Sequence, residues 1–340
     1  MIERFIKNDE SIKKWRRFKS HKLAVISSWI MLMAMFFSFT AEFWANSKPL
    51  YLSYAGKNYF PVFKTYHPTE FGEESKLVMD YRSLELDHDR GDRAIWPLIP
   101  WDPFESNKEV EVYPSGPTPD NLMGTDDRGR DILTRLLYGL RYSITYAILV
   151  WLLTFFVGTI AGGVMGYLGG RVDFWGQRIV EVLSTVPQFF LLIIIISIFQ
   201  PSLFLLVVLS SLFGWISISY YVRGEYLKNR QKEFVEAARA LGAGHGRIFF
   251  RHLLPNSLSP IITFSPFVIA GNITALASLD YLGFGLTPPT PSWGELLNQA
   301  QKHFTEGWWL ALYPSLALFL SLTTLSLIGE GVRDAMDPKE

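Results

Sequence analysis

Between Lys228 and Asn256 the chain spaces arginine, alanine and glycine in a way that suits docking against another protein rather than bond-making chemistry. Glu236-Ala237-Ala238 is followed by Gly242, Gly244 and Gly246, then by Ile248 and Leu254-Pro255. A first helix with Phe234, Ala237, Ala238 and Leu241 on one side would end in the glycine turn at 242–246. A second short helix would present Ile248, Phe249 and Leu253 before Pro255 breaks it. Alanines let such a hairpin sit deep in a groove, and Glu236 with the nearby arginines fixes its orientation by charge pairing.

The other chemistry-bearing residues point away from catalysis. The 340 residues contain no cysteine, which removes disulfides, thiolate chemistry and cysteine-ligated clusters together. His245 and His252 stand seven apart on one segment, and His67 and His88 are far from each other, so neither pair has metal-ligand spacing. No Gly-x-x-x-x-Gly-Lys-Ser/Thr phosphate loop occurs. The 32 basic and 32 acidic residues balance, which argues against a nucleic-acid partner.

The elements that must carry the 228–256 segment are membrane spans. Residues 23–41, 142–170, 252–279 and 307–329 hold no Asp, Glu, Lys or Arg, and 182–222 is one uncharged run long enough for two spans. That run must turn back, and Gln200-Pro201 is the place where a proline and a polar amide allow it. The expectation is an all-α polytopic membrane protein with six transmembrane helices. The basic start, including Lys13, Lys14, Arg16, Arg17 and Lys19, keeps the N-terminus in the cytoplasm. Residues 1–22 are then a cytoplasmic tail, 23–41 an uncleaved first span, and 42–141 a long extracytoplasmic loop with an interfacial helix. Residues 142–330 form a five-helix core with a cytoplasmic loop at 223–256, and 331–340 a cytoplasmic tail. Glu181 and Asp280 sit at span edges, where charges anchor or cap.

The outer loop mixes aromatics and prolines with an acidic patch at 85–92 and is expected to hold little regular structure. Trp44 and Trp308-Trp309 have the composition of interface anchors. At 122–131, Leu-Met-Gly-Thr-Asp-Asp-Arg-Gly-Arg-Asp offers Thr125 or Asp126 as cap for a helix starting near Asp127, with Arg130, Arg135 and Arg141 reaching the surface. Gly124, Thr125, Asp126, Gly129, Arg130 and Asp131 are read as a structural motif that sets how the chain turns into the span at 142. In that span, Gly158 and Gly162 have the small-xxx-small spacing of closely packed membrane helices.

Glu236-Ala237-Ala238, Gly242, Ile248 and Leu254-Pro255 together resemble the cytoplasmic signature of permease subunits of bacterial ATP-driven importers. The branch most similar is the second permease of dipeptide, oligopeptide and nickel importers. It shares Leu122 to Asp126 with Gly129-Arg130-Asp131, the 278–286 run with Pro291-Ser292-Trp293-Gly294-Glu295, and Gly329 to Asp334. The long outer loop, with Ala45 to Leu50 and Asn58 to Pro61, is similar to the subgroup that imports oligopeptides and microcin C. The resemblance implies a non-catalytic pore subunit without a cofactor of its own. It further implies a second permease subunit, two ATPase domains, separate or fused, that bind ATP and Mg, and an extracytoplasmic peptide-binding protein. Residues 234–254 would then couple to the ATPases. An ion-gradient-driven secondary carrier would need an ion site and usually an internal repeat, and neither is evident.

Overall fold

The computed structural model describes residues 9–73, 78–87 and 91–336. His88, part of the acidic 85–92 patch, the first eight residues of the N-terminal tail and the last four of the C-terminal tail lie outside the described residues. The chain is predominantly helical and divides into two compact units. One takes its described residues from Met1–Leu32, Ser143–Thr287 and Leu318–Glu340, the other from Met33–Tyr142 and Pro288–Ala317.

The helices in chain order are α1 (Asp9–Ser20), α2 (Lys22–Phe39), α3 (Ala41–Trp44), α4 (Ile132–Leu168), α5 (Gly170–Ser184), α6 (Gln188–Ile198) and α7 (Leu203–Asn229). They continue as α8 (Glu233–Ala240), α9 (His245–Arg247), α10 (Leu254–Ser257), α11 (Ser259–Tyr281), α12 (Trp293–Lys302) and α13 (Trp308–Met336). Among them α2, α4, α7, α11 and α13 are long and apolar enough to cross a membrane. The pair α5 and α6, bent by 67° at their junction, supplies a sixth candidate if counted as one span. The interruption falls at Thr185-Val186-Pro187, just where proline withholds a backbone donor. The third span is therefore not the simple run from 182 expected from the uncharged stretch. It begins as an amphipathic helix at Gly170, which carries Arg171, Asp173 and Arg178, and continues as only 11 residues of α6, about 16 Å of helix. The return before α7 does occur at Phe199-Gln200-Pro201-Ser202, and Ser202 Oγ caps α7 by accepting from Leu205 N at 3.2 Å.

In the first unit α4 and α7 touch backbone to backbone. A Cβ on Gly158 would come within 2.7 Å of Trp215 O and Ile218 Cβ, one on Gly166 within 2.6 Å of Arg223 O, and one on Gly162 would run into Ser219 O. The small-xxx-small seam thus continues through three turns, and its partner is a helix of the same chain. Arg230 closes the end of α4, donating to Gly166 O at 3.1 Å and Tyr167 O at 3.4 Å, where a cation suits the negative end of the helix. Arg223 forms a two-point pair with Asp173 of α5.

The second unit adds what an all-α expectation omits. Strands β1 (Tyr51–Tyr54), β2 (Lys57–Tyr59) and β3 (Arg93–Ile95) form an antiparallel sheet in the order β2-β1-β3, with Leu52 opposite both Tyr59 and Ala94. Ala55 and Gly56 both have positive φ, 51° and 75°, the conformation a two-residue hairpin loop needs to match strand twist. Leu52, Tyr59, Phe71, Met79 and Tyr81 bury one another beneath the sheet. The aromatic content of the loop is therefore a small core, and burial drives the Tyr81 phenol up to about 12.

The 37-residue helix α4 starts at Ile132 and is unbroken, so no separate interfacial helix precedes it. Its first turn is capped by Asp131, whose Oδ1 accepts from Thr134 N at 2.7 Å. Thr125 and Asp126 are spent elsewhere. Further along, Arg141 makes a two-point pair with Glu42 at 2.7 and 2.9 Å and also donates to Ser38 O. The hydrogen bond from Arg141 is the main reason the Glu42 carboxyl is held below its ordinary range, against the opposing effect of partial burial. A lowered carboxyl stabilises the fold above its unfolded value, and that contribution disappears as pH falls through the folded value. Thermal melting between pH 6 and pH 3 should accordingly show an acid-side loss that is smaller in Glu42→Gln, and identical pH profiles would contradict this.

Candidate functional site

The 228–256 segment folds as α8, a tight turn, α9, a wider π-helical stretch over Ile248–Leu253, and α10. Glycine ends α8 for a conformational reason. Gly242 has φ of 79°, its N–H donates to Arg239 O at 2.9 Å, and Ala243 N donates to Ala238 O at 3.0 Å. This is the paired closure of a Schellman motif, which asks for a left-handed residue. A Cβ at Gly242 would meet nothing within 4 Å, so packing within the chain does not demand glycine there; backbone conformation does.

Val235, Ala238, Ile248, Phe249 and Leu253 are buried with Tyr167 of α4, Ile218, Val222 and Tyr226 of α7, and Ile261 of α11. Phe234 and Leu254 pack partly against this core. The apolar side of α8 is therefore divided between this chain's core and the open surface. Val235, absent from the sequence reading, takes the inward place, whereas Ala237 is exposed and Leu241 is 88% exposed. Glu236 shares the open side, in the first turn of α8, where a carboxylate suits the helix dipole. Pro255 lies in the first turn of α10, where its missing N–H costs no helical hydrogen bond, and does not end the helical stretch. His245 Nδ1 is 2.7 Å from Tyr167 Oη. Among the described residues no three His, Asp or Glu side chains form a metal-sized group.

A second cluster forms within the other unit. Asp126, Arg130 and Arg135 are almost wholly buried, at 0%, 2% and 0% exposure. This reverses the surface placement expected for the two arginines. Asp126 Oδ1 accepts from Arg128 N and Arg130 N, both at 2.9 Å, and Oδ2 accepts from Arg130 Nε at 2.7 Å and lies 3.4 Å from Arg135 Nε. Gly129 N donates to Asp126 O at 3.0 Å, and Gly124 and Gly129 have φ of 79° and 75°. The segment before α4 is therefore a tight turn folded around one carboxylate, which is why no helix starts near Asp127.

Glu295 completes the charge set from the far end of the sequence. It is paired with Arg135 and lies 3.3 Å from Arg130 Nη2. Ser292 Oγ, accepting from Glu295 N at 3.3 Å, starts α12 and so aims that carboxylate. Trp293 lies against Gly139 of α4, with its Nε1 donating to Leu136 O at 2.9 Å. Trp309 Nε1 donates to Thr125 O at 3.1 Å. Trp308 is 55% exposed as an anchor would be, but Trp309 is buried in this cluster. For Arg130, burial works against the charge, yet Asp126 and Glu295 outweigh it and the guanidinium is held above its ordinary value. Burial pushes the Asp127 and Asp131 carboxyls up. With Arg130 and Arg135 each paired to a carboxylate and Asp126 held by backbone N–H donors, the cluster is built to hold position. Both motifs were visible in the sequence, but neither announced that the two would meet.

A family model described as "Binding-protein-dependent transport system inner membrane component" matches residues 155–340, more than half of the chain. The chain belongs to this family of inner-membrane permeases. A second model, the N-terminal transmembrane domain of oligopeptide transport permease C, matches residues 13–61 of the permease. Among curated relatives, the inner membrane ABC transporter permease protein YejE of Escherichia coli is 39% identical over 96% of both chains. The peptidoglycan transport system permease protein YejE of Agrobacterium fabrum is 36% identical over 96% of the permease and 93% of its own length. A chain of the methionine transporter MetNI in an inward-facing conformation matches with a TM-score of 0.51 at 16% identity, covering 60% of the permease and 97% of that chain, a likeness of fold alone. The permease is thus a multi-pass protein of the inner membrane.

Proposed function

We propose that the permease forms half of the translocation path of an ATP-driven, binding-protein-dependent importer of oligopeptides or modified peptides, with α8 as its contact to an ATPase domain. The observation that carries the contact is the exposed face of α8. Glu236, Ala237 and Leu241 stand outward from a helix that is fixed from behind by Val235 and Ala238 and closed by the Gly242 cap. Ile248, Leu254 and Pro255 serve by holding that platform. Its core contains residues of α4, α7 and α11, so an ATPase that displaces α8 must also displace the ends of those helices, since close-packed groups do not yield independently. ATP and Mg belong to two ATPase domains, separate or fused, and a second permease subunit and an extracytoplasmic binding protein complete the machine. Residues 42–141 face outward in this reading, and the buried charge cluster at 124–135 keeps that side rigid. The match to the oligopeptide transport permease model and the name of the peptidoglycan transport relative support peptides or peptide-bearing fragments as cargo.

Uptake of labelled oligopeptide into proteoliposomes, with ATPase, partner permease and binding protein each omitted in turn, tests the whole reading. Uptake that persists without ATP and follows an ion gradient would overturn it. Glu236→Ala should reduce ATPase co-purification and uptake about tenfold, the loss for one good charge-assisted contact of roughly 1.5 kcal/mol, while capture by the binding protein is kept. At residue 242 the left-handed backbone adds a control. Gly242→Asn, which tolerates φ above zero, should fold as well as wild type, whereas Gly242→Leu pays about 1–2 kcal/mol in the cap. If Gly242→Asn docks normally, residue 242 acts through α8 geometry; full docking and uptake in Glu236→Ala and Gly242→Leu together would remove the hairpin from the coupling role.

A further inference from the structure

A concavity of the first unit has a volume of about 700 Å³ and is walled by α1, the C-terminal end of α7, the start of α11 and the end of α13. Six cations line it: Lys13, Lys14 and Arg17 from α1, Lys228 and Lys232 from the end of α7 and the approach to α8, and Arg333 from α13. Among the described residues two carboxylates line it with them, and both are engaged. Glu10 pairs with Lys14 at 2.7 Å and Glu225 with Lys228 at 3.9 Å. Four elements therefore direct an excess of positive charge into one concavity, an arrangement whose mutual repulsion an anion would relieve.

The chemistry of the remaining wall distinguishes among anions. Pro260 and Phe264 of α11 and Met336 of α13 give the concavity an apolar side, and both helices are candidate membrane spans. Phe264 is 43% exposed and stacks on Tyr221 of α7 with ring centroids 5.6 Å apart. Helix α1 is polar on one side, buries no residue fully and leads directly into α2, as a helix lying in the headgroup layer does. A free anion needs only the cations; a phospholipid uses the cations for its phosphate and the apolar wall for its acyl chains.

We propose that this concavity binds the phosphate headgroup of an anionic phospholipid of the cytoplasmic leaflet. The side of the membrane rests on the orientation given under Proposed function. Lys232 immediately precedes α8 and Lys228 lies one turn before it, so a bound headgroup ties the root of α8 to α1 and α13. The lipid then sets how stiffly the docking helix is held.

The test measures lipid directly, so it can fail while the transport reading stands, and the reverse. The transporter, purified with its partner subunits, is placed in nanodiscs of phosphatidylcholine and titrated with phosphatidylglycerol, bound lipid being counted by native mass spectrometry. Wild type should retain phosphatidylglycerol after delipidation. Lys13→Gln, Lys232→Gln and Arg333→Gln should each weaken retention about fivefold, the effect of one basic residue near an anionic headgroup, and the triple variant should retain none. Lys13→Arg and Lys232→Arg should restore it, and Arg171→Gln, outside the concavity, should leave it unchanged. Melting curves identify any variant that fails to fold, in which case the paired arginine variant decides. Retention unchanged in the triple variant overturns the proposal. Displacement by inorganic phosphate at concentrations matching the lipid's own affinity also overturns it, by showing a site for a free anion.

Discussion

Replacing Asp126 with alanine should destabilise the permease by about 3–5 kcal/mol, the range for removing one partner of a buried ion pair. The reason is specific to what Asp126 does. It neutralises Arg130 and Arg135, which are at most 2% exposed, and it accepts the backbone N–H groups that shape the turn before α4. Glu295 remains, but one carboxylate cannot match two buried guanidinium groups, and neither can reach water without opening the cluster. Asp126→Asn keeps acceptor geometry and loses only charge, so its cost should be smaller. Asp126→Ala combined with Arg135→Met should cost less than the two changes added, because the second removes the charge the first strands. Unfolding by denaturing detergent in mixed micelles measures all three. A loss under 1 kcal/mol for Asp126→Ala would mean the arginines have another outlet, and the cluster would no longer account for the rigidity of this unit.

Gly162→Leu should be comparably severe, at about 3 kcal/mol, through overpacking rather than charge. Its Cβ would collide with the backbone of Ser219, which cannot rotate away as a side chain end could. Helices α4 and α7 would have to separate, and the separation would reach Gly158 and Gly166 on either side. Gly271→Leu is the matched control, since a Cβ there meets nothing within 4 Å. The expected readouts are a lowered melting temperature and reduced recovery from the membrane for Gly162→Leu, with Gly271→Leu near wild type. Equal melting of the two variants would show that the seam yields at little cost.

The spans were legible because charge-free length is a one-dimensional property, and α2, α4, α7, α11 and α13 fall on the expected runs. Positions that depend on a distant partner were not. Arg130 and Arg135 looked like surface arginines because nothing adjacent in sequence announces Glu295, some 160 residues later. Helical spacing placed Phe234, Ala237, Ala238 and Leu241 on one side of α8 without saying which of them this chain covers. Val235 takes the inward position, since Phe249 and Tyr226 are there to receive it. The small sheet escaped notice because its strands are three or four residues long and the aromatics that bury it are scattered across the loop.

The break between α5 and α6 makes a poor neighbour for acyl chains. At Thr185-Val186-Pro187 the helical ladder lapses, and hydrocarbon offers no replacement for lost backbone hydrogen bonds. Beside the break, Gln188 donates to Ser210 O, and Tyr146 meets Ser210 Oγ at 2.7 Å, on the wall of a cavity of about 410 Å³ that Asn272 also lines. A hydroxyl-and-amide surface of this kind is wetted or covered by protein. At this break and along this cavity wall, water or protein is therefore a better neighbour than an acyl chain.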